Sequence, residues 1–382
     1  MLPLADERAI ELGKLHLHND ICFPAQINVG EFLRMLESDT PDTSTIALGM
    51  HQNCKDCRAG QYAMLARKAL DAMGYEDIPI VTSGNELREL HPGFHIDARM
   101  QMKILLGLAL LDALEDLRRS TRPYEVHEGA AEIAFEEGLR RICSALGHGR
   151  RRAVHALRET VDAFNRVAVV DGPAKPAVMM LGEILLAVHP SANYHLEDYL
   201  EAHGMEVIGT RLSDFFHQRF IKQKAEANDY FDDRSFLMAL VDGAVDGMFK
   251  RTRYAVESEM QRYVRYRPRV SARDIYATVA PYIDVVHWAG EGWLIPGEIM
   301  HAAGHGIHSF VIVQPFGCMP NHIFGRGVTR IVKDAYPDIQ VLSLDFDPDT
   351  SMGNIENRLQ MLIMNARELE KLQHPQDTAS IA

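Results

Sequence analysis

Three cysteines stand in loops that follow short apolar runs, where a thiol can hold a metal or carry redox chemistry. Cys318 lies in Val311–His322 (VIVQPFGCMPNH). The β-branched Val311-Ile312-Val313 predicts a buried strand, Pro315 ends its ladder for want of an N–H, and Gly317, Cys318 and Pro320 make a tight loop. Cys22 lies in NDICFPAQ after the strand-like Lys14–His18, and Cys57 in HQNCKDCRAGQY after the expected strand Thr45–Met50. Open α/β sheets place their ligands at such carboxyl ends. Three loop thiolates suit an iron–sulfur cluster; [4Fe–4S] normally takes four, and a missing fourth leaves one iron open to substrate or water. Zinc competes, but it favours paired C-x2-C motifs, and Cys54/Cys57 is the one such pair in the sequence. The same pair suits thiol redox, because Cys57 precedes a helix whose dipole would lower its pKa. The bland alternative is that all three are small apolar residues in tight loops. Cys143 shares an apolar helix face with Leu139, Ile142 and Leu146 and is expected in the core.

Other side chains join these thiols as candidates. His322, four residues after Cys318, could orient a cluster or shuttle a proton, or simply satisfy its own loop. Glu183 follows a strand, and Glu291 and Glu298 lie in AGEGWLIPGE; all three are candidate acids or bases in a cleft. Each also fits a cap, Glu298 best, since it follows Gly297 near an expected helix start. His16 and His18 alternate along the first expected strand, which fits a half-polar strand better than a metal pair. Arg150-Arg151-Arg152 marks a helix end rather than a phosphate site. Gly325-Arg326-Gly327 is a lone GxG, and the sequence holds neither a Walker A run nor GxGxxG, so ATP or NAD binding through those loops is not expected.

The elements that must position these groups alternate. Short apolar runs (Lys14–His18, Thr45–Met50, Ile78–Val81) alternate with helical periods at Ala25–Leu36 and Gln61–Met73, the pattern of a parallel sheet. Helices then dominate from about Ile96 to Val170, including the very apolar Met100–Leu117, expected to be buried against the sheet or a partner subunit. After the linker Asp171–Pro176 the pattern restarts with strands at Ala177–Leu181, Glu206–Gly209, Phe310–Val313 and Ile339–Leu344. Helices are expected at Leu196–Ala202, Ala272–Tyr282, Pro296–Ala303, Val328–Ala335 and Asn354–Ala366, with a helical insertion over Leu212–Val264. The fold expected is α/β, two Rossmann-like doubly wound domains, residues 1–172 and 173–382, with helical insertions and the cluster in the cleft between them. A length of 382 residues, with 47% hydrophobic and 24% charged, suits that globular plan. The net charge of −13 argues against nucleic-acid or anionic-membrane partners. No apolar run nears the roughly 20 residues of a membrane span. The acidic start lacks a secretory h-region, and five cysteines are sparse, so a cytoplasmic protein without a disulfide framework is expected.

Several stretches together resemble the 2-hydroxyacyl-CoA dehydratase-like superfamily: NDICFPAQINVGEFL, QNCKDCRAGQYAMLARKAL, Lys175–Ile208, GEGWLIPGEI, and QPFGCMPNHIFGRGV followed by DFDP. The match is closest to the C-terminal region of the large activase-related proteins and runs over about residues 3 to 366. The resemblance implies Rossmann-like domains holding a [4Fe–4S] cluster on Cys22, Cys57 and Cys318. Cys54 is an extra thiol where the family has a small residue, and only a candidate ligand. Double-cubane relatives hold a larger cluster on more thiolates, and five cysteines, one expected in the core, make that version the less expected one within a single subunit. The resemblance also implies a partner: an ATP-dependent activase of actin/hexokinase-like fold that pushes one low-potential electron into the dehydratase-like protein. In such relatives that electron permits loss of a 2-hydroxyl from a CoA ester, and the proteins form homo- or hetero-oligomers. A non-catalytic electron carrier or cluster scaffold, and a zinc-stabilised α/β protein, remain the alternatives.

Overall fold

The computed structural model describes residues 5–18, 20–37, 42–50, 57–82, 93, 97–218, 221, 236–268, 270–285 and 289–373. Among these, six strands form two parallel sheets. β1 (Leu48–Met50) pairs with β2 (Ile80–Thr82). The larger sheet joins β3 (Ala177–Gly182), β4 (Glu206–Gly209), β5 (Ser309–Pro315) and β6 (Gln340–Phe346) in the order β4-β3-β5-β6. Its central strands are near-continuous apolar runs because both faces are covered. Val178, Met180, Val207, Val311, Val313, Leu344 and Phe346 turn one way into a first core. Met179, Leu181, Phe310 and Ile312 turn the other way into a second. Each such fully buried Val, Leu, Ile or Phe contributes about 1.5–3 kcal/mol by leaving water.

The first face packs against α1 (Glu7–His16), α2 (Phe23–Glu37), α7 (Ile184–Val188), α8 (Leu196–Ala202) and α13 (Met352–Gln373). The second packs against α10 (Ala272–Val279), α11 (Leu294–Ala303) and α12 (Thr329–Ala335). The strand of Cys318 runs further than expected: Pro315 pairs with Phe346, and the Phe316 N–H still donates to the Phe346 carbonyl at 2.8 Å. Proline lacks a donor, so the next N–H, of Phe316, makes the bond, while the Pro315 carbonyl accepts the Cys318 N–H at 3.1 Å.

The amino-terminal half departs from expectation. Lys14–His18 is not a strand; it is the end of α1, which Asp6 caps by accepting the Ala9 N–H at 2.8 Å. Ala9, Leu12 and Gly13 form the buried helical face, and four alternating residues at its end could not outweigh that cap and period. His16 and His18 therefore share no strand face. α1 and α2 instead form a close helical hairpin, followed by β1, a 3-10 turn over Arg58–Gln61, α3 (Tyr62–Ala72) and β2.

A third mass is helical. α4 (Ala98–Thr121), α5 (Ala130–Leu146), α6 (Arg150–Phe164) and α9 (Phe236–Met260) share a core around Leu110, Leu114, Leu117, Leu157, Val161 and Met260. Met100, Met102 and Ile104, at the start of the apolar α4, remain exposed. Cys143 is exposed as well, against expectation. The buried face of α5 is Ala131, Ala134, Gly138 and Ile142, and the next residue is turned about 100° away from it. No helix among the described residues is long and apolar enough to cross a membrane.

Candidate functional site

From β3 the chain goes to β4 on one side and then crosses to β5 on the other. The carboxyl ends of β3 and β5 thus flank a topological switch point, where parallel sheets leave a crevice. Glu183 emerges from β3 and Cys318 from β5. Gly182 makes their close approach possible: its φ is +130°, and a β-carbon there would lie 2.3 Å from the Val313 carbonyl oxygen. The Glu183 N–H donates to that carbonyl at 2.9 Å, and the Glu183 carboxylate caps α7 by accepting the Leu186 N–H at 2.9 Å.

Glu291 ties the two strand ends together. It accepts the Ile184 N–H at 3.0 Å, and its other oxygen accepts from Asn321 Nδ2 at 3.4 Å. The same Asn321 nitrogen lies 3.3 Å from Cys318 Sγ. Asn321 opens the π-helical turn Asn321–Gly327, wide turns of a kind often found at functional sites. Its side chain is fully buried, and its Oδ1 has no donor.

The other two thiols arrive from the amino-terminal half. Cys22 immediately precedes α2, and its sulfur lies 2.8 Å from the hydroxyl of Tyr62, the first residue of α3. Cys57 stands just before the 3-10 turn that leads into α3. Arg58 reaches back to the Asp20 carbonyl. A β-carbon on Gly317 would lie 3.6 Å from Arg58 Nη1 and 4.0 Å from the Cys22 Cα, so the Cys318 loop rests on the Cys22 loop. Burial pushes the Tyr62 hydroxyl well above its usual range, reinforced by Cys22, Glu183 and Cys57, all within its electrostatic reach.

The electrostatics are unusual for thiols. Burial pushes Cys318 far up, and Glu291 and Glu183 add to it. Burial also raises Cys22. Reactive thiols have depressed pKa values and electropositive surroundings; these two are held protonated. A bound cation would reverse that, because thiolate ligands ionise against metal charge. The described residues contain no group of three or more His, Cys, Asp or Glu side chains close enough for a single ion. Cluster thiolates bind separate irons, so they need not gather that tightly. Cys22, Cys57 and Cys318 on three converging loops, beside an orphaned buried amide oxygen, fit that looser set.

Carboxylates continue away from the sulfurs. Burial pushes Glu183 up to about 7. Glu298 is no cap: it lies one turn inside α11, accepts from the Thr210 hydroxyl at 3.1 Å and is pushed up to about 8 by burial and Asp214. A crevice of about 10 Å³, room for about one water, runs between Gly182, Thr210, Arg211, Glu291 and Glu298. His322 uses its Nδ1 on the Cys318 carbonyl at 2.7 Å, the contact of a satisfied loop histidine. Gly325-Arg326-Gly327 lies in the π-helical turn, where Arg326 pairs with Asp345 at 3.0 Å. Cys54 falls outside the described residues.

Tyr62, Asn321, Thr210 and Arg211 were not expected at the site. Thr210 and Arg211 directly follow β4, so the strand-end rule that found Cys318 would also have found them. The chain matches no protein-family model, no curated protein and no solved structure.

Proposed function

We propose that this is an iron–sulfur protein of the 2-hydroxyacyl-CoA dehydratase or reductase type, with Cys22, Cys57 and Cys318 as ligands of a [4Fe–4S] cluster. The observation that carries the reading is the convergence of the three thiol loops on the switch point between β3 and β5. A bound cluster would supply a store for one low-potential electron, delivered by a separate ATP-dependent activase. Both halves are read as Rossmann-like, with the cluster between them. Tyr62 would donate to a Cys22 thiolate and Asn321 to Cys318, fixing the two ligand side chains. Glu183 and Glu298 carry protons near neutral pH and can release them to a reacting oxygen or carbon. Glu183, within electrostatic reach of Cys22 and Cys318, supports an enzyme over an electron carrier or cluster scaffold.

The test is anaerobic purification followed by iron, sulfide and zinc analysis. About four irons per chain with brown absorbance are expected. Cys318→Ser should lose most of the iron while keeping its helical circular dichroism. Full iron in that variant overturns the assignment, and stoichiometric zinc without colour replaces it with a zinc-stabilised protein. About eight irons would demand the double-cubane version and further ligands, with Cys54 the first to test.

A further inference from the structure

A second cavity, of about 560 Å³, opens between α4, α9, the start of α6 and the helical segment 212–218. Its walls divide by chemistry. Leu105, Leu106, Met248 and Val256 give an apolar floor. Six Lys or Arg residues line it against two carboxylates, Asp214 and Glu257, in a chain whose net charge is −13. A basic cavity in an acidic protein selects for anions.

Two of the cations carry buried donors without acceptors. Arg150 Nε and Arg211 Nε are both buried and unpaired. An unmet buried donor is costly, more so when charged, and an anion would satisfy it. Arg150 Nη2 donates to the Arg251 carbonyl at 2.6 Å, so the two arginines are neighbours. Burial and the like charge of Arg251 both weaken the Arg150 cation, with no carboxylate among the described residues opposing them. Arg211 pairs with Asp116 at 3.3 Å and lines both this cavity and the Glu298 crevice. Arg211 thus stands in the wall of both spaces.

We propose that this cavity binds an anionic amphiphile, an alkyl chain ending in carboxylate or phosphate, with its head group on Arg150 and Arg251 and its chain over Leu105, Leu106, Met248 and Val256. At about 30 Å³ per water-sized atom the space holds roughly 18 non-hydrogen atoms. A medium-chain acid or alkyl phosphate fits within that with room to spare. Calling this ligand the substrate rests on the cluster reading; the binding itself does not.

Gly247 supplies a clean test. It lines the cavity from α9, and a β-carbon there meets nothing within 4 Å. Gly247→Phe should therefore fill the space without disturbing the backbone and without lowering Tm. Calorimetric titration of the full, anaerobically purified chain with decanoate, decyl phosphate, decanol and inorganic phosphate reads the site. The two amphiphilic anions should bind about tenfold or more tightly than decanol or phosphate alone. Their ranking distinguishes a carboxylate from a phosphate ligand. Arg150→Met should remove that advantage and leave decanol binding unchanged; Gly247→Phe should abolish all amphiphile binding. Decanol binding as tightly as decanoate, or unchanged decanoate binding in a folded Gly247→Phe, overturns the proposal. Titrating iron-loaded and iron-free protein keeps the two readings apart. Decanoate binding by a chain that takes up no iron sinks the cluster alone, and a loaded chain that ignores decanoate sinks this site alone.

Discussion

The Glu298 carboxyl has Thr210 as its hydrogen-bond partner, with the hydroxyl 3.1 and 3.3 Å from its two oxygens. Burial, then Asp214, pushes its pKa up to about 8 from an unfolded value near 4.5. Between those values the folded chain holds a proton that the unfolded chain has lost. Stability must therefore fall as pH rises from about 5 to about 8 and level off above that, where both states are ionised. Glu298→Gln keeps the shape and removes the titration. Urea unfolding across pH 5–9 should show the variant gaining on the native chain by up to a few kcal/mol at the alkaline end. Parallel pH profiles for the two proteins would show that Glu298 is ionised in the folded state and is not the proton store proposed for the site.

α1 and α2 cross where neither has a side chain. A β-carbon on Gly30 would lie 1.9 Å from the Ala9 carbonyl oxygen, a backbone atom that cannot swing aside. Gly30→Ala gains helix propensity of nearly 1 kcal/mol but must separate the helices, at about 1–3 kcal/mol or more. A net loss is expected, read as a lower urea midpoint. Since α2 begins directly after Cys22, iron content should fall with it. This crossing also shows what the sequence could and could not disclose. Helices with a full period and a glycine stop, such as α3 before Gly74 and α8 before Gly204, were legible within a residue or two, as were β3 to β6, bounded by turns. The Lys14–His18 alternation was too short to tell a strand from a helix end. Cys318 and Glu183 were legible as strand-end residues. Thr210 was legible by the same rule, since it follows β4, but Tyr62 and Asn321, which meet Cys22 and Cys318, were not, because a hydrogen bond to a thiol leaves no local period.

The three masses of the molecule are held together at named points. α1 and α2 place Ala9, Phe23 and Ile27 in the core of the larger sheet and Leu12, Ala25 and Val29 in the core around β1 and β2. Glu31 and His189, both buried, meet at 2.8 Å across the same seam. The helical mass is joined to the sheet more by charge. Glu197 of α8 faces Arg119 at 2.9 Å, Arg122 at 3.0 Å and Arg118 at 3.3 Å, at the end of α4. Burial alone would raise the Glu197 carboxyl, but Arg119, Arg118 and Arg122 outweigh it and hold it below its ordinary value. A depressed carboxylate stabilises above its unfolded pKa and loses that contribution as pH falls through its folded one, so this joint should weaken in acid. Glu197→Ala would remove the carboxylate the three guanidinium groups share, leaving Arg118 and Arg119 on Glu115 and Arg122 on Asp198 and Glu201, at a cost of about 1–3 kcal/mol. If the joint couples the masses, amide exchange in α4 and α6 should rise by orders of magnitude in Glu197→Ala, while β3 and β5 keep native protection. Equal acceleration in both regions would mean that the helices and the sheet unfold as one unit, with Glu197 contributing to global stability alone.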